Sequence, residues 1–160
     1  MKFKKTSQAK ILEAHGLDFT PVRATEGSVG YDLKACIEDD YIFVRPKEIV
    51  RISTGIQVDL SSPESTMFSN TILGGFIYPR SSLGIKGLTL VNTTGVIDAD
   101  YRGEILLIVT NNSENAIHIA RGDRVAQLVI RACFVEEFKE VEELEESNRG
   151  EGGFGSTGKK

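Results

Sequence analysis

Residues 95–104 read GVIDADYRGE and set two acids beside a tyrosine and a glycine in what the flanking residues mark as a connection between strands. Asp98 and Asp100 stand two apart, so in extended backbone both carboxylates would leave one face and Ile97 and Ala99 the other. One of them could serve as a base. An ordinary hairpin turn draws on Asp and Gly for their backbone angles, so this stretch by itself leaves both readings open.

Four further stretches carry groups that could act on a ligand. Residues 78–84, YPRSSLG, end a strand on proline and then present Arg80 with the hydroxyls of Ser81 and Ser82, a cation and two donors suited to phosphate oxygens, or a plain polar turn. Residues 28–33, SVGYDL, place Asp32 soon after Gly30, and residues 121–127, RGDRVAQ, feed a Gly-Asp turn into a strand that carries Gln127. Either pattern is also met in simple turns. Residues 149–160, RGEGGFGSTGKK, contain G-x-x-x-x-G-K, yet a phosphate-binding loop of the Walker kind needs a strand before it, a helix after it and a Ser or Thr following the lysine, where Lys160 stands instead. What remains is a glycine-rich arm whose amides can approach an anion. Ser156 and Thr157 add hydroxyls, Arg149 and Lys159 charge, and Phe154 a flat face for a base. The same composition is too poor in apolar residues to order itself without a ligand or a partner.

The elements that must position these groups read as strands. Ile56, Val58 and Leu60 alternate with Gln57 and Asp59, and β-branched or aromatic runs recur at residues 41–44, 76–78, 88–91, 105–110, 117–119 and 125–135, punctuated by Gly, Pro, Asn and Ser. Many short strands at such spacing predict an all-β barrel or jelly-roll-like sandwich. Ile105 to Val109 is apolar throughout and is expected to be covered on both faces, within the core or by another copy of the chain. Residues 136–146 repeat Phe138, Val141 and Leu144 every three positions inside a run of glutamates, a pattern that fits a helix and a solvated connector equally. Residues 61–71, SSPESTMFSNT, read as a surface loop turning near Pro63.

A chain of 160 residues has room for one domain with a real core. Cys36 and Cys133 stand singly in apolar runs without CxxC spacing, which suits small core residues in a reducing compartment, and His15 and His118 are too isolated for a ligand cluster. His118, between Ile117 and Ile119, is expected to face outward from a strand. No run approaches the roughly 20 apolar residues of a membrane span, and the N-terminus lacks the apolar stretch of a secretory signal, so a cytoplasmic protein without membrane contact is expected. A net charge of -4 argues against nucleic acid as a partner.

In this order, across residues 28 to 158, the five stretches resemble the homotrimeric deoxyuridine triphosphatase (dUTPase) family, whose pattern runs aGyDl, PRSgLg, N-x-x-G-x-I-D-x-D-Y-x-G, GdRiaQ and a C-terminal RGxGGFGSTG arm. The resemblance implies a jelly-roll-like β-barrel (β-clip) with a flexible C-terminal arm: residues 1–135 as the barrel core, 136–148 as an acidic connector and 149–160 as the arm closing the active site. It implies hydrolysis of dUTP to dUMP and pyrophosphate, which keeps uracil out of DNA and supplies dUMP for thymidylate synthesis. Magnesium would bridge the triphosphate while water attacks the α-phosphorus, in a homotrimer whose chains share each site. By the same resemblance Asp98 orients and activates the water, Tyr101 packs under the deoxyribose and leaves no space for a 2′-hydroxyl, and Asn92 reads uracil. Gly95, with Val96 and Ile97 of the same hairpin, lets the backbone approach the base. Arg80, Ser81, Ser82 and Gln127 hold phosphate oxygens, and Asp32 supports the hydrated magnesium. Phe154 stacks on uracil while Arg149, Gly155, Ser156 and Thr157 bind the phosphates.

The chain departs from the pattern at Ser82, where many members have glycine, at Glu151, which brings a negative charge into the arm, and at residues 61–71, longer than the usual connection. Two other readings compete. A deoxycytidine triphosphate deaminase shares the fold but needs a glutamate at the pyrimidine and has no counterpart for the arm with Phe154. A non-enzymatic dUTP-sensing or protein-binding β-domain would be expected to lack Asp98 or the arm.

Overall fold

The computed structural model describes residues 1–61 and 70–153. In chain order its elements are β1 (Lys2–Lys5), α1 (Ser7–Glu13), β2 (Val22–Arg23), β3 (Gly30–Lys34), β4 (Tyr41–Val44), β5 (Ile49–Asp59), β6 (Thr71–Pro79), α2 (Ser81–Gly84), β7 (Leu88–Leu90), β8 (Gly95–Ile97), β9 (Glu104–Asn111), β10 (Ile117–Ala120) and β11 (Arg124–Phe134). Every strand pairing is antiparallel. The order β1-β5-β9-β7 makes one sheet, β2-β3-β11-β6-β8 a second, and β10-β4 a two-stranded ribbon. One core draws on all three: Leu33 of β3, Val44 of β4, Ile52 and Ile56 of β5, Ile105 and Leu107 of β9, Ile119 of β10 and Leu128 of β11 are buried together. Each such side chain contributes about 1.5–3 kcal/mol by leaving water. The alternation seen in the sequence is what makes this possible, since the buried positions of β5 and β9 fall on every second residue over most of their length.

The expected jelly-roll-like β-barrel (β-clip) does not form. Among the described residues no ladder joins the rim of one sheet to the rim of another, so the fold is all-β and antiparallel but open. Closure needs rim strands long enough to pair in a consistent stagger, and here the rims β1, β2, β7 and β8 are 4, 2, 3 and 3 residues long. Period-2 patterning reports which face of a strand is buried, and says nothing of which edges meet.

The other differences are local. Ile105, Leu107 and Val109 are buried as expected, but Leu106 is 39% exposed, so within one chain only one face of β9 is covered. Residues 136–146 form no helix; their glutamates repel one another, and Phe138 and Leu144 are exposed rather than packed against the core of the described residues. Cys36 is buried while Cys133, opposite Ile72 beyond the core, is half-exposed. His118 does face outward, against the rings of Tyr41 and Phe43. The turn expected near Pro63 lies outside the described residues. Among the described residues no helix is long and apolar enough to cross a membrane.

The N-terminal β1 and α1 carry no motif. Thr6 caps α1 by accepting from the Ala9 N–H at 3.3 Å, and Ala9 and Leu12, three apart, turn inward. They meet β5 at Gly55, whose φ is +71°; a Cβ there would lie 2.7 Å from Ala9 Cβ and 2.8 Å from Cys36 Sγ. Gly55→Ala therefore combines a left-handed backbone with overpacking and is expected to destabilise the fold by about 2–5 kcal/mol, read as a lower urea midpoint.

Candidate active site

β8 is short and hangs on β6, with Ile77 opposite Gly95, Phe76 opposite Val96 and Gly75 opposite Ile97. Gly95 is buried, and a Cβ there would lie 3.3 Å from Asn92 Nδ2 and 3.4 Å from Ile77 Cβ, which is how the Asn92 amide and the β8 backbone come close together. After Ile97 the chain turns: the Tyr101 N–H donates to the Asp98 carbonyl at 3.1 Å. Asp98 and Asp100 thus do not share a strand face, because residues 98–101 are a turn and the two-residue alternation no longer applies. The Tyr101 ring lies over Gly103, where a Cβ would be 2.3 Å from its hydroxyl oxygen, and that hydroxyl donates to the Glu104 carbonyl at 3.0 Å. Only glycine at 103 permits this placement of the ring.

Asp98, Tyr101, Val96 and Ile97 line an open hollow of about 340 Å³ whose far wall is Glu104, Leu106 and Ile108 of β9. Such a volume is within the range of small-molecule sites. Asp98 is exposed to it and Tyr101 is 41% exposed, so a carboxylate and the face of a ring are both open to a ligand.

A second group gathers around Asp32. Gln127 of β11 stands opposite Asp32 on one side and Tyr78 of β6 on the other. The buried Asp32 carboxylate meets Arg80 Nε at 3.3 Å and Arg124 Nη1 at 3.0 Å, while Arg80 Nη1 donates to the Arg124 carbonyl at 3.1 Å. Gln127 Nε2 donates to the Pro79 carbonyl at 3.3 Å, and Gly30 leaves room for its side chain, since a Cβ at 30 would come within 2.4 Å of Gln127 Oε1. Arg80 also ends β6 at the short α2, so Ser81 and Ser82 follow it in the open. Arg80, Ser82, Leu83, Ile119, Asp123 and Arg124 line a hollow of about 230 Å³. The guanidinium groups of Arg80 and Arg124 bring several N–H donors to this hollow, which suit phosphate oxygens, while Asp32 and Asp123 balance their charge.

Arg124 was not among the residues expected here. Strict alternation along β11 would put Arg124 and Gln127 on opposite faces, but the register slips by one residue between Arg124 and Ala126, and the bulge returns Arg124 to the face of Asp32 and Gln127. The Gly-Asp turn before it was the available signal.

Val96, Ile97, Asp98 and Tyr101 line one hollow, with Asn92 against Gly95 beside them, and Arg80 and Ser82 line a separate one, with Asp32 against Arg80. Arg149 joins neither: its Nε donates to the Gly152 carbonyl at 2.7 Å inside its own exposed turn. Phe154, Gly155, Ser156 and Thr157 lie outside the described residues. Among the described residues no group of three or more His, Cys, Asp or Glu could hold a metal ion.

A family model described as dUTPase matches residues 19–158, a span that contains both groups. The chain belongs to the dUTPase family. It is 43% identical over 159 residues to the deoxyuridine 5'-triphosphate nucleotidohydrolase of Thermoanaerobacter sp. (strain X514), with 99% of this chain and 97% of that one covered. Against the enzyme of the same name from Neisseria gonorrhoeae (strain NCCP11945) it is 40% identical over 152 residues, covering 94% and 95%. Among solved structures, the dUTPase of Staphylococcus bacteriophage 80alpha with dUPNHPP superposes with a TM-score of 0.77 at 26% identity, over 98% of this chain and 97% of that one. As a dUTPase the chain begins its match to the family model after β1 and α1, while the alignment with the Thermoanaerobacter relative covers 99% of this chain.

Proposed function

We propose that the hollow lined by Asp98 and Tyr101 takes the deoxyuridine of dUTP and that the Asp32 group takes its phosphates. The chain is a dUTP diphosphatase: it hydrolyses dUTP to dUMP and pyrophosphate, and membership of the dUTPase family over residues 19–158 is the observation that carries this. Water attacks the α-phosphorus as the bond to the bridging oxygen breaks; pyrophosphate leaves, and the proton of the water passes to the Asp98 carboxylate. Asn92, with a donor and an acceptor in one amide, suits the imide edge of uracil, and Gly95, Val96 and Ile97 offer backbone to the base. Arg80, Ser81, Ser82 and Gln127 bind phosphate oxygens, joined by Arg124.

Magnesium fits this donor set as an ion carried in on the triphosphate. It keeps several waters and needs few protein ligands, and Asp32, engaged by Arg80 and Arg124, is the carboxylate that would face that water shell. When bound, it would neutralise charge on the phosphates.

The working form is a homotrimer with shared sites. Support comes from the separation of the nucleoside hollow and the phosphate group within one chain, and from the exposure of Val96 and Leu106 around the first. Residues 1–135 are the core, 136–148 an acidic connector, and 149–160 an arm that closes over the nucleotide through Arg149, Phe154, Gly155, Ser156 and Thr157. A cytoplasmic location suits the two free thiols.

Tyr101→Ala tests the sugar site. Without the ring to penalise a 2′-hydroxyl, the ratio of kcat/KM for dUTP over UTP is expected to narrow. Unchanged rejection of UTP would remove the steric role of Tyr101.

A further inference from the structure

We propose that Arg102 is a positioning residue for this reaction, fixing the turn that carries Asp98 and Tyr101 against the end of β5 and thereby setting the discrimination between deoxyribose and ribose. The proposal rests on the roles given to Asp98 and Tyr101 above. The turn bridges two sheets: β8 before it belongs to the five-stranded sheet and β9 after it to the four-stranded one. Its internal bonds, Tyr101 N–H to the Asp98 carbonyl and Tyr101 hydroxyl to the Glu104 carbonyl, shape the turn, while its two ends are held by β8 on β6 and by Glu104, opposite Gln57, on β5.

Arg102 adds a side-chain tie from the middle of the turn to the end of β5. Its Nη1 donates to the Ala99 carbonyl at 2.9 Å and to the Tyr101 carbonyl at 3.1 Å, so one nitrogen gathers the backbone on both sides of Asp100. Its Nη2 reaches outward to Asp59 Oδ1 at 2.9 Å and to Ser61 Oγ at 3.0 Å, at the end of β5. The Arg102 carbonyl accepts from Gln57 Nε2 at 2.8 Å, so backbone and side chain are tied to the same strand. Asp59 is itself held in place by the Ser61 N–H and hydroxyl. Those two bonds, and then Arg102, keep its carboxyl below the usual carboxylate range, so the anchor stays charged in mild acid.

An exposed Arg–Asp pair alone contributes about 0–1 kcal/mol to stability. Here its reach into two turn carbonyls makes the consequence geometric: a small displacement of a group that must touch the substrate costs up to about 100-fold in rate. A planar guanidinium can serve carbonyls on one side and a carboxylate and hydroxyl on the other at once, which the point charge of lysine cannot.

The test compares Arg102→Ala, Arg102→Lys and Asp59→Asn with the unaltered protein for dUTP and UTP hydrolysis, alongside thermal melting and oligomer mass. Arg102→Ala is expected to melt as a folded protein, to lose about 10- to 100-fold in kcat/KM for dUTP, and to reject UTP less well than the unaltered chain. Asp59→Asn should shift the dUTP-to-UTP ratio in the same direction, and Arg102→Lys should restore only part of it. An equal fall for both nucleotides, as a smaller folded fraction would give, or no fall at all, overturns the proposal. Should Arg102→Ala not fold, the ratio for Asp59→Asn decides alone. Absence of dUTP hydrolysis in the unaltered protein would instead overturn the functional reading, which keeps the two failures distinct.

Discussion

Asp98→Asn is expected to lower kcat for dUTP by about 10²- to 10⁴-fold, the usual loss when a general base is removed, with nucleotide binding and stability close to those of the unaltered chain. The structure explains the separation. The turn at residues 98–101 uses the backbone carbonyl of Asp98, which asparagine retains, and the side chain stands exposed at the nucleoside hollow. Asparagine keeps the shape and the hydrogen-bonding oxygen but holds no proton taken from water. Calorimetric dUTP binding and steady-state turnover, measured on one preparation, check both halves; turnover at the unaltered rate would strip Asp98 of its role.

Truncation after Ser147 is expected to leave a folded oligomer of the same subunit number with almost no turnover. After Phe134 the described residues form no strand or helix, and of those removed residues 148–151 are exposed and none belongs to the buried core. The lost groups are those proposed to close the site: Arg149 and the residues from Phe154 to Thr157. Phe154→Ala should reproduce part of the defect, on the order of the 1–3 kcal/mol associated with a base stacked on an aromatic ring. Retained hydrolysis in a truncated protein verified by mass would reject closure by the arm.

How far the sequence could be read depended on whether a residue's role follows from local periodicity. β4 and β10 are legible because alternation and turn residues bound them, and β9 because its apolar run is long. The open sheets were not, since edge pairing is decided by strands that lie far apart in sequence and by rims only a few residues long. α1 escaped notice because a helix of seven residues offers a single inward pair, Ala9 and Leu12, and its place depends on Gly55 some 40 residues later.

At the site the same division holds. The Arg80 and Asp32 stretches could be matched one by one, but their meeting requires β3, β11 and β6 in register. Arg124 was hidden by a bulge that reverses strand parity, and Asp100 was placed beside Asp98 by a parity that the turn does not keep. Gly103 makes room for the Tyr101 ring only in three dimensions.

The most direct test of the central claim is product analysis: the purified protein, with magnesium, is given dUTP, dCTP, dTTP and UTP separately, and pyrophosphate, nucleoside monophosphate and ammonia are measured. The account predicts pyrophosphate and dUMP in equal amounts from dUTP, far slower release from the other three, and no ammonia. Ammonia and dUTP from dCTP would identify a deaminase, and no pyrophosphate from dUTP would contradict the assignment altogether.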